Sequence, residues 1–224
     1  MSTSTPGTPV ADLLWPRLEQ ALFAVPSADD LFNPYRDHHP ALDGPDAPAR
    51  RQANLRAYLS AYPTVPPVLL VAEAPGPWGC RFSGVPLTSE AQLVDPAFPL
   101  AGTPTSQRAE PHTEYSARIF WRTVRPYWPR FFIWNCVPFH PHKPGAPLTI
   151  RTPRTREVRS WEPLLTAIAD ALTPTLILAI GRKAEGSLRR AGLACHYVRH
   201  PSQGGAKQFA SGITRHFEAL SASI

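Results

Sequence analysis

Apolar residues recur along this chain in two rhythms. Short apolar-rich runs bounded by proline, glycine or polar residues occur at Val68–Ala72, Phe131–Trp134, Leu176–Ile180 and Cys195–Val198, and runs of that length read as buried strands. Between and around them the spacing changes to that of one helical face. Asp12–Val25 places Leu13, Leu14, Leu18, Leu22 and Phe23 on a common side, with Pro16 expected in its first turn. Ala49–Tyr62 repeats the pattern, and Thr113–Tyr127 turns Ile119, Phe120 and Val124 inward behind a Thr113 cap. Thr155–Leu172, Arg182–Ala191 and Ala206–Ser221 complete the set of predicted helices. Strands that alternate with helices predict an α/β fold, a three-layer α/β/α sandwich on a mainly parallel four-stranded sheet, because crossover connections put the helices on its faces.

The gaps in the pattern are long. Residues 1–10 are small and polar and are expected to be disordered, leaving 11–224 as a single domain. Residues 26–48 and 135–153 read as proline-rich loops, and residues 73–111 lack helical spacing apart from a turn near Ser89–Leu93, so they read as a lid or binding loop. The chain holds 28 prolines in 224 residues, far above the usual share of about 5%; much of the surface must be stiff irregular chain.

Charge adds a direction. The formal net charge is +6, and residues 141–224 carry 12 Lys/Arg against 5 Asp/Glu, while the preceding part is balanced at 11 against 12. A localised positive field suits a polyanion such as nucleic acid. Arg182-Lys183 and Arg189-Arg190 read as a solvated helix face. Cys80, Cys136 and Cys195 are too dispersed for a metal hook and odd in number, which suits buried thiols in a reducing cytoplasm. No run reaches the roughly 18 apolar residues of a membrane span, and no signal peptide is evident. His38-His39 and His140-x-His142 could share an ion, but the second pair has no carboxylate beside it, and no metal is expected.

Chemistry is expected where strands end, since open α/β sheets build their sites at the carboxyl ends of the strands. Glu73, Asn135 and His200 each follow a predicted strand and would meet in one crevice if those strands are parallel neighbours. In these positions the chain resembles the uracil-DNA glycosylase superfamily, nearest its iron–sulfur branch, family four. The resemblance runs over roughly residues 65–217. Ala72-Glu73-Ala74-Pro75-Gly76 is similar to the branch's Gly-Glu-Ala-Pro-Gly, and Gly84-Val85-Pro86-Leu87 to its Gly-x-Pro-Phe. Asn135, a proline-rich loop and Arg151-Thr-Pro-Arg-Thr155 follow its middle segment, and His200-Pro201-Ser202 its last motif.

The resemblance implies a monofunctional glycosylase that hydrolyses the bond between uracil, or another deaminated base, and the sugar in DNA. It implies that Asn135 reads the uracil edge, that His200 supports the negative charge of the departing base, and that Glu73 orients water or stabilises the sugar cation. Ala74, Pro75 and Gly76 would approach the base closely, with Phe82 or Leu87 stacking on it and Ser202 beside it. Arg81, Lys143, Arg199, Pro201 and Lys207 would contact the DNA backbone.

Several departures accompany it. Phe139 and Trp161 stand at two expected cysteine positions and no N-terminal cysteine pair exists, so no iron–sulfur cluster or other cofactor is expected. Gln203-Gly204-Gly205 occupies the place of a large apolar wedge, Leu87 that of a stacking phenylalanine, and Ala74 that of an Asp or Asn used by other branches. Two rival readings follow: a non-catalytic nucleic-acid-binding protein on the same scaffold, and a small hydrolase with a histidine metal site. The favoured reading is a monomeric DNA repair enzyme of the cytoplasm, associated with the nucleoid.

Overall fold

The predicted alternation is what forms, in a computed structural model that describes residues 8–222. In chain order the elements are α1 (Val10–Leu22), β1 (Leu31–Phe32), α2 (Ala47–Ser60), β2 (Val68–Ala72), α3 (Cys80–Ser83), α4 (Glu90–Leu93) and α5 (Tyr115–Val124), then β3 (Phe131–Asn135), β4 (His140–Pro141), α6 (Thr155–Leu172), β5 (Leu176–Ile180), α7 (Arg182–Arg190), β6 (His196–Val198) and α8 (Ala206–Ala222). The four predicted strands make one all-parallel sheet in the order β3-β2-β5-β6. β2 pairs on both edges, and all five of its residues are buried. An apolar run with no polar alternation is what a strand covered on both faces requires. α1 packs with α2 and α6, α7 with α6 and β5, and α5 with α8, which also covers β6. Among the described residues no helix is long and apolar enough to cross a membrane.

Three boundaries differ from the expectation for identifiable reasons. Most of residues 1–10 lies outside the described residues, but Val10 is helical and fully buried, its N–H donating to Tyr62 O at 3.2 Å. That anchor starts α1 two residues early, so Pro16 is interior to the helix rather than in its first turn. α5 is preceded by Glu114, not Thr113, and gains no side-chain cap there. Residues 73–111 are not a free lid. Arg81, Ser83, Thr88, Ser89 and Glu90 are buried, and the Glu90 carboxylate accepts from the N–H groups of Thr105, Ser106 and His112. One buried anion therefore gathers three backbone donors of the following loop, replacing water that an exposed loop would use.

A second buried anion ties this loop to α2 and to the chain before it. Asp43 pairs with Arg51, at 2.6 Å, and with Arg81; all three side chains have no exposure. Burial alone would raise the Asp43 pKa, but the Arg51 and Arg81 guanidiniums outweigh it and hold the carboxyl below its ordinary range. Arg81 is thereby corrected: a guanidinium spent on Asp43 and stacked 4.1 Å from the Phe82 ring cannot reach a phosphate. The small antiparallel sheet of β1 and β4 pins the loop that follows β3. Beyond it Asp30 and Glu157 bind Arg151 and Arg154 in a four-membered charge network.

Asp43→Asn leaves two guanidiniums buried without their anion, so it should cost about 3–5 kcal/mol in urea unfolding. The same change at the exposed Asp46, which pairs with Arg50 on the surface, should leave the urea midpoint nearly unmoved.

Candidate functional site

A cleft of about 870 Å³ opens where β2, β5 and β6 end, a volume suited to a small organic ligand. The β2 exit supplies one wall, from Glu73 through Gly76 to Trp78. The β6 exit supplies the opposite one with Arg199, His200, Ser202 and Gln203. Between them β5 contributes Gly181, Arg182 and Lys183, and the segments 114–116 and 150–153 complete the rim. The sheet register makes this convergence inevitable: Ala72 stands opposite Asn135, Val71 opposite Ala179, and Ile180 opposite Val198, so all four exits leave at one edge. Two of the three non-glycine residues with left-handed backbones among the described residues, Leu87 (φ 46°) and Gln203 (φ 52°), line this cleft. Such conformations cost about 1–3 kcal/mol each and gather at sites of function.

His200 has a defined hydrogen-bonding state. Its Nδ1 lies 3.1 Å from the Ser202 N–H, which can only donate, and 2.7 Å from the Ser202 hydroxyl. Nδ1 is therefore the acceptor, and a neutral ring must carry its proton on Nε2. Burial, reinforced by the neighbouring Arg199 charge, pushes its pKa down to about 4, so the ring is neutral at ordinary pH. Gly181 takes a backbone conformation (φ 91°) that disfavours any side chain, and a Cβ there would make only ordinary contact with His200 Cβ, at 3.4 Å.

Glu73 is half-buried at the end of β2. Burial raises its pKa, and Lys183 across the cleft acts in the opposite direction. Asn135 is buried one strand over from Ala72 and does not itself line the cleft. Its Oδ1 has no hydrogen-bond partner and its Nδ2 has only the Cys80 Sγ at 4.0 Å, so both ends of the amide remain available. Unpaired buried amides are rare and call for an explanation such as a ligand.

The remaining expected residues divide. Ala74, Pro75, Gly76, Leu87, Arg199 and Ser202 line the cleft. Phe82 does not. Its buried ring is engaged by Arg81 and by His112, whose ring centre lies 4.1 Å away, and it is not free to stack on a base. Lys143, Pro201 and Lys207 also lie off the cleft lining: Pro201 is buried, Lys143 is exposed on the loop after β4, and Lys207 is exposed on the first turn of α8 beside a second depression with Arg215. His140 offers no free nitrogen to a metal, because its two ring nitrogens already face the Pro75 and Pro147 carbonyls at 2.8 and 3.1 Å. Phe139 packs edge-on against Trp161 at 4.7 Å. Interlocked rings fill that volume, and the residues present do not fit an iron–sulfur cluster.

Several residues of the cleft carry little mark of it in the sequence, Arg182, Lys183 and Glu114 among them. Arg182 and Lys183 are solvated, as a charged helix face should be, yet they also line the cleft because α7 begins directly at the β5 exit. The Ile180-Gly181 strand-to-helix turn was a signal for that. Glu114 has no such signal, since it reaches the cleft from the start of α5, 41 positions after Glu73.

The model of the Uracil DNA glycosylase superfamily matches residues 59–219, well over half of the chain and inclusive of Glu73, Asn135 and His200. This chain belongs to that superfamily. Among solved structures it is similar to SMUG2 from Pedobacter heparinus, with a TM-score of 0.69 and 13% identity, covering 95% of this chain and 98% of that one. At that identity the likeness speaks for the fold. No curated protein matches the chain in sequence.

The tautomer and low basicity of His200 can be checked without any substrate. In ¹⁵N NMR the His200 ring should keep Nδ1 unprotonated and Nε2 protonated from pH 5 to 8 and should begin to titrate only near pH 4; a midpoint near 6.5 would contradict the geometry.

Proposed function

We propose that this protein excises uracil, or another deaminated base, from DNA by hydrolysing the bond between base and sugar. The observation that carries the reading is His200: a neutral imidazole, locked by Ser202 with Nε2–H as its free donor, at the mouth of a cleft in a member of this superfamily. A glycosylase must extrude the base, read its edge and stabilise the charge that forms as the bond breaks. Asn135 can accept from uracil N3–H through its unpaired Oδ1 and donate to O4 through Nδ2, a pattern that cytosine does not match. As the electron pair of the C1′–N1 bond moves onto the base, the Nε2–H of His200 donates to O2, and a preorganised donor in a water-poor site is worth several kcal/mol there. Glu73 supports positive charge on the sugar and directs the water whose oxygen bonds to C1′.

The rest of the proposal follows the same wall. Leu87 supplies apolar contact to the base, and Gly76 and Pro75 allow the backbone to come close. Arg182, Lys183 and Arg199 line one side of the cleft with positive charge, which suits phosphates on either flank of the extruded nucleotide. Lys143 and Lys207 extend that charge away from the cleft. No lysine lies in the Glu73, Asn135 and His200 motifs, and Lys183 on the cleft faces the Glu73 carboxyl, which favours a monofunctional enzyme. It works as a monomer, in the cytoplasm, on nucleoid DNA. The alternative, binding without excision, is favoured by one observation, that Asn135 stands behind the cleft lining rather than in it.

Oligonucleotides carrying uracil, hypoxanthine or xanthine, followed by alkaline cleavage of abasic sites, separate the two. Excision of at least one base is expected, with His200→Ala and Asn135→Ala each slowing it about 10²–10³-fold. Tight binding with no abasic product at low salt and excess enzyme establishes the non-catalytic alternative instead.

A further inference from the structure

Among the described residues five large apolar side chains stand exposed, and three of them, Trp78, Tyr115 and Ile150, line the rim of the cleft at the strand ends. Exposed apolar residues scattered singly need no explanation, but a group gathered at one opening marks a contact surface. Tyr115 is 60% exposed on the first turn of α5. Trp78 lies on the turn after β2, its ring centre 5.2 Å from that of His112, and that neighbour still leaves it 37% exposed.

A basic stripe continues from this rim. Arg118 and Arg122 follow Tyr115 at i+3 and i+7, so all three share the outer face of α5, while Phe120, Trp121 and Val124 are buried on the other. The Arg118 guanidinium lies 5.5 Å from the Tyr115 ring centre, and the helical rise sets Arg118 and Arg122 about 6 Å apart along the axis. The adjacent carboxyl, Glu114, is turned away from the stripe: its oxygens lie 2.0 and 1.9 Å from where a Cβ at Gly76 and at Gly79 would stand. α5 packs beside α8 through Phe120 and Phe209, with ring centres 6.0 Å apart, and α8 carries the exposed Lys207 and Arg215 around its shallow depression. Among the described residues none of these four cations is in an ion pair. The two helices thus present one basic layer that begins at the cleft.

Exposed rings beside unpaired cations suit a nucleic-acid strand whose bases are free to stack. In a duplex both faces of a base are covered by its neighbours, so such a ring gains a face-on partner only from a strand that is unpaired or opened. The loop after β6 has no device for opening one. Gln203, Gly204 and Gly205 stand there, and none is the large apolar side chain that proteins push between base steps to unstack them. An acidic protein segment would pair with the arginines and leave the ring faces unused; a single strand uses both. We propose that the rim and the outer face of α5 are a binding track for single-stranded DNA beside the excised nucleotide, with Tyr115 and Trp78 stacking on flanking bases and Arg118 and Arg122 holding the phosphates. The track rests on the glycosylase reading for what enters the cleft, and extends it from the damaged base to the form of DNA that carries it.

The test is fluorescence anisotropy with a labelled strand that contains no uracil, offered alone and as a duplex with its complement, across about 50–200 mM salt. The wild-type protein should bind the single strand more tightly. Tyr115→Ala and Trp78→Ala should each weaken single-strand binding about tenfold and leave duplex binding little changed. The double variant Arg118→Gln, Arg122→Gln should weaken it too and reduce the slope of log affinity against log salt by about 1.4, two phosphate contacts at about 0.7 each. All four side chains are exposed, so the variants should fold, and thermal melts check that they do. Tighter binding of the duplex by the wild-type protein, or wild-type single-strand affinity in both aromatic variants, overturns the track. An equal loss of duplex binding, which marks a general phosphate contact, or an unchanged salt slope in the double variant overturns it as well. None of these outcomes involves excision, so each leaves the glycosylase reading intact; that reading fails on a separate result, the absence of abasic product from uracil, hypoxanthine and xanthine.

Discussion

The rest of the molecule depends on β2 being hydrogen-bonded in parallel on both edges. A strand in that position exposes neither face nor edge to water, which explains why Val68–Ala72 contains no polar residue. Parallel pairing also forces the chain to leave every strand at the same end. Glu73, Asn135, Gly181 and His200 come from four separate segments, yet the register brings their exits into one line. The site is thus a consequence of how the sheet is assembled, and any slip in register would dismantle it.

Buried charge does for the loops what the sheet does for the strands. Loops rich in proline cannot donate enough backbone N–H groups to organise themselves, and this chain settles them around anions instead. Asp43 holds Arg51 and Arg81, Glu90 gathers three N–H groups, and Asp30 with Glu157 clasps Arg151 and Arg154. One of these nodes reaches the cleft itself, through Arg151 on its rim. The cost is that arginines which look available in the sequence are spent internally.

That cost marks where sequence reading ended. The strands and most helices were legible, in several cases to the residue, because burial on two faces or on one helical stripe leaves a periodic signature: Thr155–Leu172 and Leu176–Ile180 are as expected. So were two of the strand-end residues, Glu73 and His200, since position after an apolar run fixes where a side chain emerges; Asn135 is instead buried behind the cleft lining. Partnerships across long separations left no local trace. Nothing near Arg81 announces Asp43, 38 positions earlier, and nothing near Glu114 announces the glycines at 76 and 79. Phe82 was assigned to stacking from its place beside a motif, but a short helix turns it into the core against His112.

The account's central claim is spatial: an extruded base lies in the cleft at the strand ends with the Nε2–H of His200 directed at it. The most direct measurement is a crystal structure of the protein with an oligonucleotide carrying 2′-fluoro-2′-deoxyuridine, whose glycosidic bond resists cleavage. The account predicts the uracil ring between Leu87 and His200, with Nε2 within hydrogen-bond distance of O2 and the Asn135 amide paired to the N3–O4 edge. A uracil still stacked in the DNA, or one bound away from the cleft with His200 turned aside, would contradict it.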